Sequence, residues 1–301
     1  MTSPRTKSFE QAMRVACLFF CTLGGLLTGF SQQKRYRPPP DYVQFGRPNQ
    51  DEGRAFLAEF RQKGFQGYLE FQLRVMPRRG EERVTIGRLW SDLFDTGSMS
   101  RIELMAAGST DRKQPTETRL LIQGGIKPSV WQWRISNPAE ISVLGIEALF
   151  ERLGDTDLTA FDLQMPFLWW SDFVFEGVRK VRGRPANAFL FYPPADYVVR
   201  QPSLTGVRVF LDTQYNALVQ AERIGEDGKT LKAMSVLDLK KIGERWIVKS
   251  IDLRDDVSRN KTRFGVTAAA MDQEFPAALF EPGRLGDAMQ PPRDGLTRVT
   301  P

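Results

Sequence analysis

Between Gly206 and Ala270, apolar runs of about eight residues alternate with short polar clusters, the signature of consecutive strands joined by tight turns. The clusters are Asp212-Thr213-Gln214-Tyr215-Asn216, Glu226-Asp227-Gly228-Lys229, Ile242-Gly243-Glu244 and Asp255-Asp256. Asp227-Gly228 marks a hairpin, because glycine supplies the positive φ that tight or bulged hairpins need. The pattern predicts a five-stranded antiparallel meander: Val207–Leu211, Ala217–Ile224, Leu231–Leu239, Arg245–Leu253 and Thr262–Ala270.

The N-terminal half shows the same period of two. Leu69, Phe71, Leu73 and Val75 alternate with Glu70, Gln72 and Arg74. Val84, Ile86 and Trp90 continue the pattern, followed by Ile102, Leu104 and Ala106, then Leu120 and Ile122, then Trp131, Trp133 and Ile135. Short turns between successive strands favour one curved antiparallel sheet over βαβ units. A helix is predicted near Asn49 or Asp51, with Phe56, Leu57 and Phe60 on one face and Gly64 and Gly67 ending it. The middle of the chain changes texture. Apolar positions 143, 144, 146, 149, 150 and 153 predict a helix over Ile141–Leu153 with Pro138 near its first turn, and a second short helix is predicted around Thr159–Leu163. Strands resume at Phe173–Val181 and Ala188–Tyr192.

The order and spacing of several segments resemble the LolA-like family of outer-membrane lipoprotein-sorting proteins, in its uncharacterised bacterial branch. They are Leu211-Asp212 leading to Ala217-Leu218, the Asp227-Gly228-Lys229 hairpin leading to Leu231-Lys232, Gly243-Glu244-Arg245-Trp246-Ile247-Val248, and Thr262-Arg263-Phe264. Upstream lie Asp155-Thr156-Asp157-Leu158-Thr159 with Asp162-Leu163, and Lys180-Val181-Arg182-Gly183-Arg184-Pro185. The resemblance spans roughly residues 65 to 285. It implies a mainly β fold, an unclosed and strongly curved antiparallel half-barrel with helices over its concave face. It further implies a monomeric periplasmic carrier without a cofactor. Its cargo would be a lipidated protein or a lipid, and its partners an inner-membrane transporter or an outer-membrane acceptor.

Composition bears on location. Residues 1–31 read as a signal peptide: Arg5, Lys7 and Arg14 precede the apolar run Val15–Phe30, with Gly29 and Ser31 before a cut at Gln32. Sixteen apolar residues fall short of the roughly 20 needed to span a bilayer. An uncleaved anchor is the alternative reading, because Lys34-Arg35-Tyr36-Arg37 follows the run. Residues 32–48 read as a Pro-rich linker, 49–285 as the half-barrel domain and 286–301 as a flexible, proline-bearing tail. The net charge of +6 is spread over both signs without a nucleic-acid motif.

Candidate chemistry is narrowed by absences. The chain has no histidine, and Cys17 and Cys21 both lie within the export segment. A Ser-His-Asp triad, a Cys-His pair and imidazole or thiolate metal sites are excluded for the mature domain. Ser258-Arg259-Asn260-Lys261 matches a Ser-x-x-Lys pattern but sits in a polar turn between strands. Asp155, Asp157, Asp162 and Asp172 could supply an acid–base pair for glycoside hydrolysis; as turn and cap residues they need no such role. A sensor or interaction module on the same scaffold, and a carboxylate-dependent hydrolase, are the alternatives to a carrier. The candidate lipid-binding residues are Trp169, Trp170, Phe173, Phe175, Phe189, Phe191, Phe210 and Trp246, all of which ordinary core packing would also explain. N-terminal sequencing of exported protein should find Gln32 or a close neighbour first; Met1 or Thr2 on membrane-bound protein would identify an anchor.

Overall fold

The computed structural model describes residues 48–95, 97–106, 108 and 115–299, so the segments predicted as signal peptide (1–31), with both cysteines, and nearly all of that predicted as linker (32–48) lie outside the described residues. Asn49 accepts hydrogen bonds from the amides of Asp51 and Glu52 and starts α1, Gln50–Arg61, which buries Leu57 and Phe60. Six strands follow: β1 Gly67–Met76, β2 Arg83–Phe94, β3 Gly97–Met105, β4 Thr116–Gln123, β5 Ser129–Arg134 and β6 Asn137–Val143. An insertion carries α2, Ile146–Leu149, then α3, Ala160–Gln164, and a 3₁₀ turn over Pro166–Trp169. Next come β7 Phe173–Val181, β8 Arg184–Phe191, α4 Ala195–Arg200, β9 Gly206–Asp212, β10 Leu218–Ile224, β11 Thr230–Ile242, β12 Arg245–Asp255 and β13 Lys261–Met271. The predicted meander is present, and Gly228 adopts φ +68° in its turn.

All of these strands join one antiparallel sheet in the order β6-β5-β4-β3-β2-β1-β13-β12-β11-β10-β9-β8-β7. β1 lies between its own hairpin partner and β13, so the two halves of the chain meet at the centre and β6 and β7 become the free edges. The sheet is curved and does not close. Its concave side carries Leu69, Phe71 and Leu73 of β1, Val209 and Leu211 of β9, and Ile251 and Leu253 of β12, in one core with α1 and the insertion.

Each edge is managed differently. At β7 the side-chain amide of Gln50 donates to the Phe175 carbonyl and accepts from the Phe175 N–H, both at 2.9 Å, taking the place of a neighbouring strand. At β6 the edge is short and carries Pro138, a residue tolerated where no ladder donor is needed. The expected helix over Ile141–Leu153 is therefore corrected. Ile141 pairs with Trp133 and Val143 with Trp131 in the sheet, and helix forms only over Ile146–Leu149. β-branched residues suit a pleated edge, and the Trp133 indole N–H donates to the Pro138 carbonyl at 3.0 Å, holding that segment extended.

The convex face of β1–β5 is also covered. Tyr68, Trp90, Leu121 and Trp133 pack there against Leu279, Phe280 and Leu285 of the C-terminal strap. Beneath the strap a ladder of alternating charge crosses four strands in register, Glu70, Arg88, Glu103 and Arg119, and Arg119 stacks on Trp133 at 4.2 Å. Arg101 donates to the carbonyls of Arg284 and Leu285 at 3.1 Å and also to that of Asp287. Further along, a final strand β14, Thr297–Arg298, pairs with β13 and leaves Val299 buried.

Gly53 permits the contact that covers the β7 edge. A Cβ there would stand 2.5 Å from Phe175 Cβ. Gly53→Ala should therefore lower the melting temperature, because overpacking costs about 1–3 kcal/mol and outweighs a helix-propensity gain of about 1 kcal/mol. A higher melting temperature would show that α1 docks elsewhere.

Candidate functional site

The candidate site is built from the insertion and the concave face beneath it. Thr159 caps α3 through its hydroxyl, Asp162 returns the bond to the Thr159 N–H at 3.0 Å, and Met165 in the left-handed region (φ 48°) ends the turn. This short frame sets Phe161, Phe167 and Trp170 inward. Phe161 stacks on Phe150 at 4.4 Å and approaches Phe167 at 5.6 Å; Phe167 reaches Phe191 at 6.5 Å and Trp170 reaches Tyr197 at 5.2 Å.

Six of the eight residues singled out in the sequence come together here. Phe189 and Phe191 are fully buried, Trp170 and Phe175 nearly so, and Trp169 and Phe173 are half-buried on the same core. Phe173 and Phe175 share a face, as strand alternation requires, and meet Phe191 at 5.4 Å and Phe189 at 5.0 Å. The other two lie elsewhere. Phe210 packs with Val181, Ala186 and Ala188 on the convex side, since its neighbours Val209 and Leu211 face the concave one. Trp246 is half-buried and belongs to none of the three apolar clusters.

At the end of α1 the packing leaves a cleft of about 230 Å³ between Arg61, the β2–β3 hairpin at Leu93 and Phe94, and the segment Met165–Trp169. Leu93 and Phe94 are 43% and 40% exposed there. Arg61 donates to the Leu168 carbonyl at 2.6 Å and its guanidinium lies over the Trp169 ring at 5.3 Å. The cleft is mixed, with apolar walls and a cationic corner. None of its residues except Trp169 was singled out in the sequence, because a helix end, a hairpin tip and a turn carry no periodic signal.

The carboxylates fasten the insertion. Lys232 of β11 donates to the Asp162 carboxylate and to the Asp157 carbonyl, and both side chains are buried. Thr262 donates to Asp157 at 3.0 Å, and Arg152 pairs with Asp157 at 3.3 Å. Asp155 pairs with Arg83 at 2.9 Å on the surface, and Asp172 is exposed. Ser258 turns toward Asp157 at 3.4 Å while Lys261 pairs with Asp252 at 2.6 Å, so the Ser-x-x-Lys side chains diverge. Burial pushes the Asp162 carboxyl up, but Lys232 and Arg223 more than offset this and hold it below the usual carboxylate range. Burial pushes the Lys232 ammonium down while Asp162 opposes the change. The direct contact, with Thr159 also donating to Asp162, favours the ionised pair.

A family model described as an uncharacterized protein matches residues 178–287. No curated protein matches the chain. Solved structures match over most of its length. A DUF1329 family protein from Desulfovibrio piger superposes with a TM-score of 0.65 at 14% identity, over 78% of this chain and 98% of that one. A domain assigned to outer membrane lipoprotein sorting, from Vibrio parahaemolyticus, gives 0.66 at 14% identity over 79% and 100%. A LolA superfamily protein from Nitrosomonas europaea gives 0.56 at 13% identity over 76% and 96%. The fold is LolA-like. In this chain the concave face is filled by its own aromatic side chains, and the insertion is held down by ions as well as rings.

Asp162→Asn should cost about 3–5 kcal/mol, because it leaves a buried ammonium without its counter-charge, whereas Lys232→Met combined with Asp162→Leu should recover most of the loss. With its folded value depressed, Asp162 contributes stability above the unfolded carboxyl value of about 3.9 and loses it as pH falls through the folded one. Urea titrations across the acid range should therefore show a shallower pH dependence in Asp162→Asn. An unchanged acid limb would remove Asp162 from that role.

Proposed function

We propose that the protein is a periplasmic binding protein for acyl-bearing cargo, a lipid or a lipidated protein, which it shelters without a covalent step. The observation that carries this reading is the unclosed sheet whose aromatic concave face is covered by an insertion joining its two edge strands. Lifting this edge-to-edge insertion breaks no ladder of the sheet but does separate Lys232 from Asp162, a cost that cargo binding has to offset. Exposed Leu93 and Phe94, with partly buried Trp169 beside them at the cleft, offer apolar cargo a first foothold. Each methylene removed from water is worth about 0.8 kcal/mol, so about five in the cleft supply about 4 kcal/mol. Deeper insertion requires the cargo to replace the insertion's rings on Phe189 and Phe191, exchanging one apolar contact for another. Release then needs an acceptor of equal shelter, a membrane or a partner protein.

The LolA-like fold supports this reading, and so does its likeness to the Vibrio domain associated with outer membrane lipoprotein sorting. Among the described residues no helix is long and apolar enough to cross a membrane. Titration with a fluorescent long-chain fatty acid should show saturable binding. Trp169→Ala should weaken it about tenfold, with a smaller loss of melting temperature than Phe189→Ala, because Trp169 is only partly buried whereas Phe189 is fully buried. Absence of probe binding by the wild type would refute the carrier reading.

A further inference from the structure

Beside the Lys232–Asp162 pair stands a second cation without a carboxylate. Arg223 follows the inward parity of β10 and is the cross-strand neighbour of Lys232 on one side and Val207 on the other. Among the described residues its guanidinium makes no hydrogen bond or ion pair, and its Nε is buried without a partner. Its contact is with the ring of Phe150, 5.6 Å from the guanidinium carbon. The nearby anions are committed elsewhere. One Asp162 oxygen receives Lys232 and both donors of Thr159, and Asp255, opposite Lys232, accepts from the amides of Val257 and Ser258. A space of about 10 Å³, room for about one water molecule, separates Arg223 and Lys232 from Phe161, Phe167 and Met234.

A buried guanidinium nitrogen without an acceptor has lost its hydration without compensation, a cost that an acceptor entering beside it would remove. We propose that Arg223 receives an oxyanion, a carboxylate or phosphate, carried on an apolar body. The charge of the site selects the anion, since Lys232 and Asp162 neutralise each other and leave Arg223 in excess. The walls select the apolar body, because Phe150, Phe161, Phe167, Val207 and Met234 surround the cation with hydrocarbon. Arg223 and Phe150 are both only partly buried, which gives the head a path from solvent to the guanidinium. The inference rests on the acyl-cargo reading for its apolar half and on Arg223 alone for its anionic half.

The two halves are separated by comparing a fluorescent long-chain fatty acid with its methyl ester. Wild type should bind the acid about tenfold more tightly, since a charge-assisted bond to Arg223 is available to the acid alone. Arg223→Met should erase that preference by weakening the acid and leaving the ester unchanged, while Arg223→Lys should keep part of it. Among the described residues Arg223 makes no hydrogen bond or ion pair, only its contact with the Phe150 ring and a charge effect on Asp162. Arg223→Met should therefore remain folded, and its melting temperature without ligand is the baseline for its ligand shifts. Equal binding of acid and ester by the wild type, or equal weakening of both in Arg223→Met, overturns the proposal. Inorganic phosphate distinguishes the sources: displacement of the acid by millimolar phosphate upholds the site as one for free oxyanions, and failure to displace upholds it as a headgroup site. If neither lipid binds, the carrier reading fails by itself. Phosphate must then raise the melting temperature of the wild type and not of Arg223→Met for the anion site to stand, and no rise overturns it.

Discussion

The pairing of β1 with β13 is the constraint on which the rest depends. It joins residues from opposite ends of the domain, Gly67 with Met271 through Met76 with Lys261. Every other neighbour in the main path is a sequential hairpin or meander partner, so this one long-range ladder decides that the two halves form a single sheet. It also fixes where the sheet ends. Strands added outward from the centre leave β6 and β7 as edges, and the chain between them has to cross the concave face to connect them.

The crossing segment contains too little regular structure to hold itself in place. Helices of four and five residues are far below the length at which a helix is stable alone, so their conformation comes from packing. Rings supply most of it, and the Lys232–Asp162 pair with the Asp157 network supplies orientation. Such a pair adds little net stability over an apolar replacement, yet it penalises any arrangement that separates its members. Of the carboxylates that might have suggested hydrolysis, Asp157 and Asp162 are engaged in this fastening, Asp155 pairs with Arg83 at the surface and Asp172 is exposed. The partners of Asp157 and Asp162 are lysine, arginine and threonine side chains, and Asp162 is kept ionised by its neighbours. That environment suits an anchor and not a general acid.

The two faces of the sheet are treated asymmetrically. On the convex side of β1–β5 the C-terminal strap forms a second apolar layer, with Arg101 binding the carbonyls that a segment without regular structure leaves unpaired. Toward β9–β13 the same side carries ion pairs such as Arg263–Asp252 and Arg208–Glu176, with one small apolar cluster around Phe210. Among the described residues the concave side combines dense aromatic packing, a cover joined to both sheet edges and a cation without a carboxylate partner, and both functional readings rest there.

Much of the local structure was legible in the sequence. Period-two alternation located the strands of the meander, Asn49 and Thr159 marked helix starts through their side-chain oxygens, and Gly228 marked a turn that requires positive φ. These are interactions between residues near in sequence, so the chain states them directly. Alternation also implied that Phe173 and Phe175 share a face. It could not say that Phe210 and Trp90 point to the convex side, nor that Ile141 belongs to an edge strand, because those facts depend on which strand lies alongside. Lys232 and Arg223 read as ordinary polar members of their strands, although Met234 and Ala221 share their parity. Only the β1–β13 ladder and the insertion it forces across the sheet turn that parity into burial, since a side chain's surroundings are set by residues that are distant in sequence.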